Sequence, residues 1–145
     1  MKLVINDSKN AKSYQKEIAP EKATQLIGKK IGEKFDGSIA DLPSYSLQIT
    51  GGSDRDGFPM RKEIPGVRRA RIMLSSPPGI RFVKKGQRRV KPIVGNTVSQ
   101  TTSQLNAKVT EYGPKTLEEL GLTLKPKEQK TAEKKEKEEK KGKKR

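Results

Sequence analysis

The chain has 145 residues, room for one compact unit with tails but not for two ordinary cores. Only 30% of residues are apolar and 4% aromatic, while 34% are charged with a formal net charge of +16, so the core is small and a polyanionic partner is expected. Lack of cysteine excludes disulfides and thiol chemistry and points to a cytosolic compartment. Lack of histidine removes the commonest general base at neutral pH, and aliphatic runs of three residues are too short for a membrane span.

Leu3 and Ile5 recur at the strand period and open the chain with a β-strand. After Pro20, which suits a first helical turn, Ala23, Leu26, Ile27 and Ile31 follow the helical period, with Gly28 and Gly32 shortening the helix. Leu47 and Ile49 mark another strand. Beyond it the pairs Gly51-Gly52, Asp56-Gly57, Pro65-Gly66, Pro77-Pro78-Gly79, Lys85-Gly86, Gly95-Asn96 and Gly113-Pro114 punctuate the chain at the spacing of short strands. Ala70, Ile72 and Leu74 alternate with Arg69 and Arg71; Arg81 opposes Ile80 and Phe82; Arg89 and Lys91 oppose Val90. Adjacent strands are therefore expected to gather these cations on one surface as a basic platform. Leu105, Ala107 and Val109 give a late strand. A single-turn helix at 116–120 is predicted from Thr116 as N-cap and Glu119 three residues on. The fold class expected is mainly β: a small β-barrel-like domain over residues 1–124, with one or two short helices.

Residues 125–145 hold eleven Lys+Arg and five Glu, with Ala132 the lone apolar side chain, so they cannot bury enough surface to offset their ordering. They are expected to form a disordered, charged C-terminal tail. Glu133 with Lys137 and Glu136 with Lys140 would support a transient helix along an RNA groove. Within residues 1–124 there are 22 Lys+Arg against 12 acids, and residues 55–91 alone carry 12 against two, Asp56 and Glu63. The rest balances at 10 against 10, so the net charge belongs to that one stretch. It also holds every arginine except Arg145, and guanidinium groups make paired hydrogen bonds to phosphate. The contact candidates are Arg55, Arg61, Lys62, Arg68, Arg69, Arg71, Arg81, Lys84, Lys85, Arg88, Arg89 and Lys91. The run from Lys84 to Lys91 reads as a basic hairpin or loop turning at Gly86. With Phe58 and Phe82 the only aromatics nearby, and both expected in the core, contact should be to phosphate, sugar and shape rather than by base stacking.

The segment 51–60 is the most distinctive. It lacks the spacing of a phosphate loop. As a calcium loop it is incomplete: Asp54, Asp56 and Glu63 would stand at positions three, five and twelve, but Gly52 holds the first, and Pro59 and Pro65 oppose flanking helices. A tight glycine turn, with Asp54 bonding backbone amides and Phe58 and Met60 packed inward, is the preferred reading. The pattern Gly51-Gly52-x-Asp54-x-x-Gly57-Phe58-Pro59-Met60, after the strand 47–49 and before the basic strand at 68–75, resembles the small-subunit ribosomal protein family called S-six of the eukaryotic and archaeal type. The resemblance covers roughly residues 1–115, and the short length is similar to archaeal members.

The resemblance implies a structural constituent of the small ribosomal subunit in the cytoplasm, a β-rich domain set against ribosomal RNA, and neighbouring ribosomal proteins as further partners. It implies no enzymatic activity, cofactor, metal, membrane contact or small-molecule substrate. The phosphorylated extension of eukaryotic members has no counterpart, because no serine follows Ser103. Two other readings stay open from the residues alone. One is a free RNA- or DNA-binding chaperone or architectural protein. The other is a carboxylate-metal phosphodiesterase using Asp54, Asp56 and Glu63.

Overall fold

A computed structural model describes residues 1–81, 84, 86–114, 117 and 123–124. Phe82, Lys85, most of the helix expected at 116–120, and the tail at 125–145 lie outside the described residues. The strands are β1 (Lys2–Asp7), β2 (Lys12–Glu17), β3 (Lys34–Asp36), β4 (Ser46–Asp54), β5 (Arg69–Leu74), β6 (Arg89–Val94), β7 (Thr102–Glu111) and β8 (Thr123–Leu124). One α-helix, α1 (Pro20–Thr24), and a 3-10 turn at Gly37–Ala40 complete the elements. The protein is mainly β, as the alternation of apolar residues predicts.

Six strands pair in the order β3-β4-β7-β1-β2-β8, and β5 and β6 form a separate two-stranded ribbon. The six-stranded sheet is open: no closed barrel is formed among the described residues. β7 lies between β4, which it meets antiparallel, and β1, which it meets parallel. The register aligns Leu47 with Val109, Ile49 with Ala107, Ala107 with Ile5, and Leu105 with Leu3. These residues point to one face and are almost wholly buried, which is why their period of two was visible in the sequence. Leu26, Phe35, Leu42, Tyr45, Met60, Val94 and Val98 cover that face. At roughly 1.5–3 kcal/mol for each large aliphatic side chain buried, this layer is the main source of stability.

β1 turns into β2 around Asp7, whose Oδ1 accepts from the Lys9 amide at 2.9 Å and whose Oδ2 accepts from Asn10 Nδ2 at 2.8 Å. β2 buries only Tyr14 among six residues, so it leaves no apolar period to read. The helix is shorter than its apolar spacing predicts. Pro20 occupies the first turn, but α1 ends at Thr24 and the chain continues through i to i+3 turns, Leu26 N to Ala23 O and Ile27 N to Thr24 O. The chain then aligns with the segment at 96–98: Gly28 N donates to Val98 O, Val98 N to Lys29 O, and Ile31 N to Asn96 O. Backbone pairing outcompetes the helix, and Leu26 is buried while Ile27 faces solvent.

The segment after β4 joins the two sheets. Ser53 bridges Pro59 on one side, and Met60 bridges Val94 of β6 on the other. Met60 N donates to Gly52 O at 2.9 Å, and Val94 N donates to Pro59 O at 3.0 Å. Gly52 has no room for a side chain: a Cβ there would lie 2.5 Å from Gln104 O and 3.0 Å from Met60 Sδ. The Met60 thioether occupies the place that a larger residue would need. Phe58 and Met60 pack on the main core as expected.

Candidate nucleic-acid interface

The ribbon carries most of the candidate cations, and its register decides where they point. Arg69 pairs with Val94, Ala70 with Ile93, Arg71 with Pro92, Ile72 with Lys91, Met73 with Val90, and Leu74 with Arg89. Paired residues share a face. Arg69, Arg71, Met73, Val90 and Pro92 therefore stand on one side, and Ala70, Ile72, Leu74, Arg89 and Lys91 on the other. Alternation within each strand is as the sequence predicts, but the single basic platform is not formed. The reason is the pairing phase, which sets Arg89 beside Leu74 rather than beside Arg69 or Arg71. A second small core of Ile64, Leu74, Ile80 and Ile93 closes the inner part of the second face.

The ribbon's root is fixed by backbone. Gly95 approaches Gly66 so closely that a Cβ would fall 1.9 Å from Gly66 O, and Gly66 itself adopts a φ of +87°. Asn96 stitches the loop before β5: its backbone N donates to Ile64 O at 2.8 Å, and its Nδ2 donates to Lys62 O at 3.2 Å. Gly95 N donates to Arg68 O at 3.1 Å. These bonds set the positions from which Lys62 and Arg68 project.

Two candidate arginines are engaged inside the protein. Arg69 holds Asp54 through Nε at 2.7 Å and Nη2 at 2.5 Å, reaches Asp56 at 2.6 Å, and lies over the Phe58 ring at 5.3 Å. Asp54 is 3% exposed. Burial alone would raise its pKa, but the Arg55 amide, the Arg69 guanidinium and the Thr101 hydroxyl together hold the carboxyl below the usual range. Arg61 donates from Nε to Glu63 at 2.8 Å and from Nη1 and Nη2 to Ser76 at 3.3 Å, and its side chain is 13% exposed. The Arg61 hydrogen bond holds Glu63 below its ordinary value.

These contacts bear on the metal reading. Asp54 and Asp56 close on Arg69 while Glu63 closes on Arg61, so the three carboxylates do not converge. Among the described residues no group of three acidic side chains could hold an ion. Asp54 is thus a strand-end acid that anchors the ribbon, more than the turn-capping residue expected; its bond to the Arg55 amide, at 2.6 Å, is the part of that expectation that holds.

The other described candidates are Arg55, Lys62, Arg68, Arg71, Arg81, Lys84, Arg88, Arg89 and Lys91. All are exposed, and none makes an ion pair among the described residues. Residues 64–110 contain ten Lys+Arg and no acid, and among the described residues Arg69 is the one of these cations that meets a carboxylate. Arg55 has its backbone fixed by Thr101 O at 3.0 Å and lines an open cleft with Lys2, Ser99 and Thr101. Arg81 lies at the rim of another cleft, between Gly57-Pro59 and the ribbon loop at 75–80.

Sequence reasoning missed one feature of this surface. Met73 and Val90 form a cross-strand pair, 59% and 48% exposed, on the Arg71 face. The available signal was phase, since Met73 alternates with Arg69 and Arg71 rather than with the buried Leu74.

Comparison with known sequences supplies the context for this surface. The sequence model of the family described as "Ribosomal protein S6e" matches residues 1–122. A protein named "Small ribosomal subunit protein eS6" from Methanocaldococcus jannaschii is 50% identical over 119 residues, covering 82% of this chain and 88% of its own length. Proteins of the same name from Methanothermobacter thermautotrophicus and Archaeoglobus fulgidus are 49% and 45% identical, each covering 82% of this chain and 93% of their own length. A match over so much of the chain, including the Gly-Phe-Pro-Met segment and the whole ribbon, shows that this chain belongs to the ribosomal protein S6e family, in its archaeal form.

Proposed function

We propose that the chain binds small-subunit ribosomal RNA through Arg55, Lys62, Arg68, Arg71, Arg81, Lys84, Arg88, Arg89 and Lys91, neutralising phosphates of a folded segment. Family membership makes the protein a structural, non-enzymatic constituent of the small subunit, in the cytoplasm. The finer assignment rests on one observation: seven of these nine cations, from Arg68 to Lys91, lie in a stretch of 47 consecutive residues, 64–110, that lacks any carboxylate, and none of the seven makes an ion pair among the described residues. Their self-repulsion is relieved by a polyanion and by little else. Residues 1–124 carry this contact, and Lys85 and the tail at 125–145 add to it.

The test is the salt dependence of binding to a small-subunit ribosomal RNA transcript. Each phosphate contact in a duplex contributes about 0.9 to the log-log slope. Replacing Arg88 and Arg89 by Ala is expected to weaken binding and lower the slope by up to about 1.8. An unchanged slope would remove the pair from the interface.

A further inference from the structure

We infer that the β5–β6 ribbon sits between two RNA segments and holds them together, one on each face. The inference rests on the RNA-binding reading and deepens it. Its ground is the pairing register, which puts cations that meet no carboxylate among the described residues on both sides of a two-stranded sheet: Arg71 on one face, Arg89 and Lys91 on the other. An RNA segment lying on one face would leave the cations of the other face without a counter-charge. Here the second core covers Leu74 and Ile93 but leaves Arg89 and Lys91 exposed, and on the opposite face Arg71, Met73 and Val90 are exposed among the described residues.

One duplex does not satisfy both faces. The major groove of B-DNA admits a two-stranded ribbon, but that of an A-form helix is deep and too narrow for side chains to read. An RNA duplex instead offers its wide, shallow minor groove, lined by sugars. The first face matches that groove: Met73 and Val90 are a flat apolar pair able to lie against ribose, and Arg71 beside them reaches the adjoining phosphate. The second face offers Arg89 and Lys91 with no apolar neighbour more than half-exposed, Ala70 and Ile72 being half-buried, which suits phosphate contact alone. The absence of acids along the ribbon selects RNA over an ordinary protein surface for both faces.

The experiment uses the full chain and two short RNA duplexes, one carrying a donor dye and the other an acceptor, with protein below saturation. The wild type is expected to bring donor and acceptor into one complex. Arg71→Ala with Met73→Ser, and separately Arg89→Ala with Lys91→Ala, should each still bind a single duplex while the transfer signal falls at least tenfold. These positions are exposed, and unchanged unfolding midpoints would confirm that the fold is intact. Wild-type binding of one duplex without transfer, or variants that bridge as well as the wild type, would overturn the inference and leave RNA binding standing. Failure of the wild type to bind either duplex would overturn the inference, and failure to bind the small-subunit transcript as well would overturn the RNA-binding reading with it. A photo-cross-linker at position 73 that captures a ribosomal protein instead of RNA in assembled subunits would overturn the assignment of the first face.

Discussion

The Arg69 guanidinium closes on the buried Asp54 carboxylate, Nη2 standing 2.5 Å from Oδ2, and so ties the ribbon to the end of β4. A residue that composition marks as an RNA contact is thereby part of the fold. Arg69→Ala would leave a buried carboxylate without its counter-charge, and a loss of about 1–3 kcal/mol is expected. The half-exposed guanidinium is partly screened, which keeps the cost below that of breaking a fully buried pair. Urea unfolding measures it. Arg69→Lys should recover part of the loss, since a point charge replaces one contact but not the fork.

Acid should unfold the protein through Asp7 and Asp54. Burial raises the Asp7 carboxyl, but the Tyr112 hydroxyl and the amides of Lys9 and Asn10 outweigh it and hold the carboxyl below its ordinary value. Both folded-state values lie below the unfolded value of about 3.9, so the stability they contribute is present above that pH and is lost as pH falls through the folded values. Unfolding midpoints are expected to change little through these groups from pH 7 to about 5 and to fall steeply below about 4. Asp7→Asn should be less stable than wild type at pH 7 and lose less on acidification. Burial and the Asp7 hydrogen bond raise Tyr112, so its contribution is lost only as pH rises past about 10.

The two neighbouring glycines of the distinctive segment should behave differently. A Cβ at Gly51 meets nothing within 4 Å, whereas one at Gly52 meets Gln104 O at 2.5 Å. Gly51→Ala is expected to leave stability within about 1 kcal/mol of wild type, and Gly52→Ala to cost roughly 1–3 kcal/mol by forcing β4 from β7. Gly95→Ala should be worse than either, because its Cβ would fall 1.9 Å from Gly66 O and separate the ribbon from its root. Thermal denaturation of the three variants would rank them.

Stability and RNA affinity should separate along the list of arginines. Arg61→Ala removes a 13%-exposed side chain from Glu63 and Ser76, so its unfolding midpoint should drop while the salt slope of RNA binding stays near that of wild type. Arg71→Ala should do the reverse, lowering the slope by about 0.9 with little change in midpoint. Paired binding and unfolding measurements on both variants check this.

The strands that pack one face on the core were legible because Leu3, Ile5, Leu47, Ile49, Leu105, Ala107 and Val109 repeat every second residue. β2 was not, since its pairing is held by backbone and its one buried side chain, Tyr14, has no apolar partner two residues away. Alternation also placed Arg69 and Arg71 opposite Ile72, but no local pattern reports the register between two strands. That register decided that Arg89 and Lys91 lie across the ribbon from Arg71. The charge count located the basic surface, yet it could not tell an arginine facing solvent from one facing Asp54, because that difference depends on a contact fifteen residues away in sequence.

If the cations of the ribbon and its loops that meet no carboxylate among the described residues contact ribosomal RNA, a density map of the assembled small subunit will show it. Phosphates are expected beside Arg55, Arg68, Arg71, Arg81, Arg88 and Arg89, with RNA on both faces of the ribbon and with Arg61 and Arg69 still on Glu63 and Asp54. A ribbon facing solvent, or covered on both faces by other proteins, would contradict this.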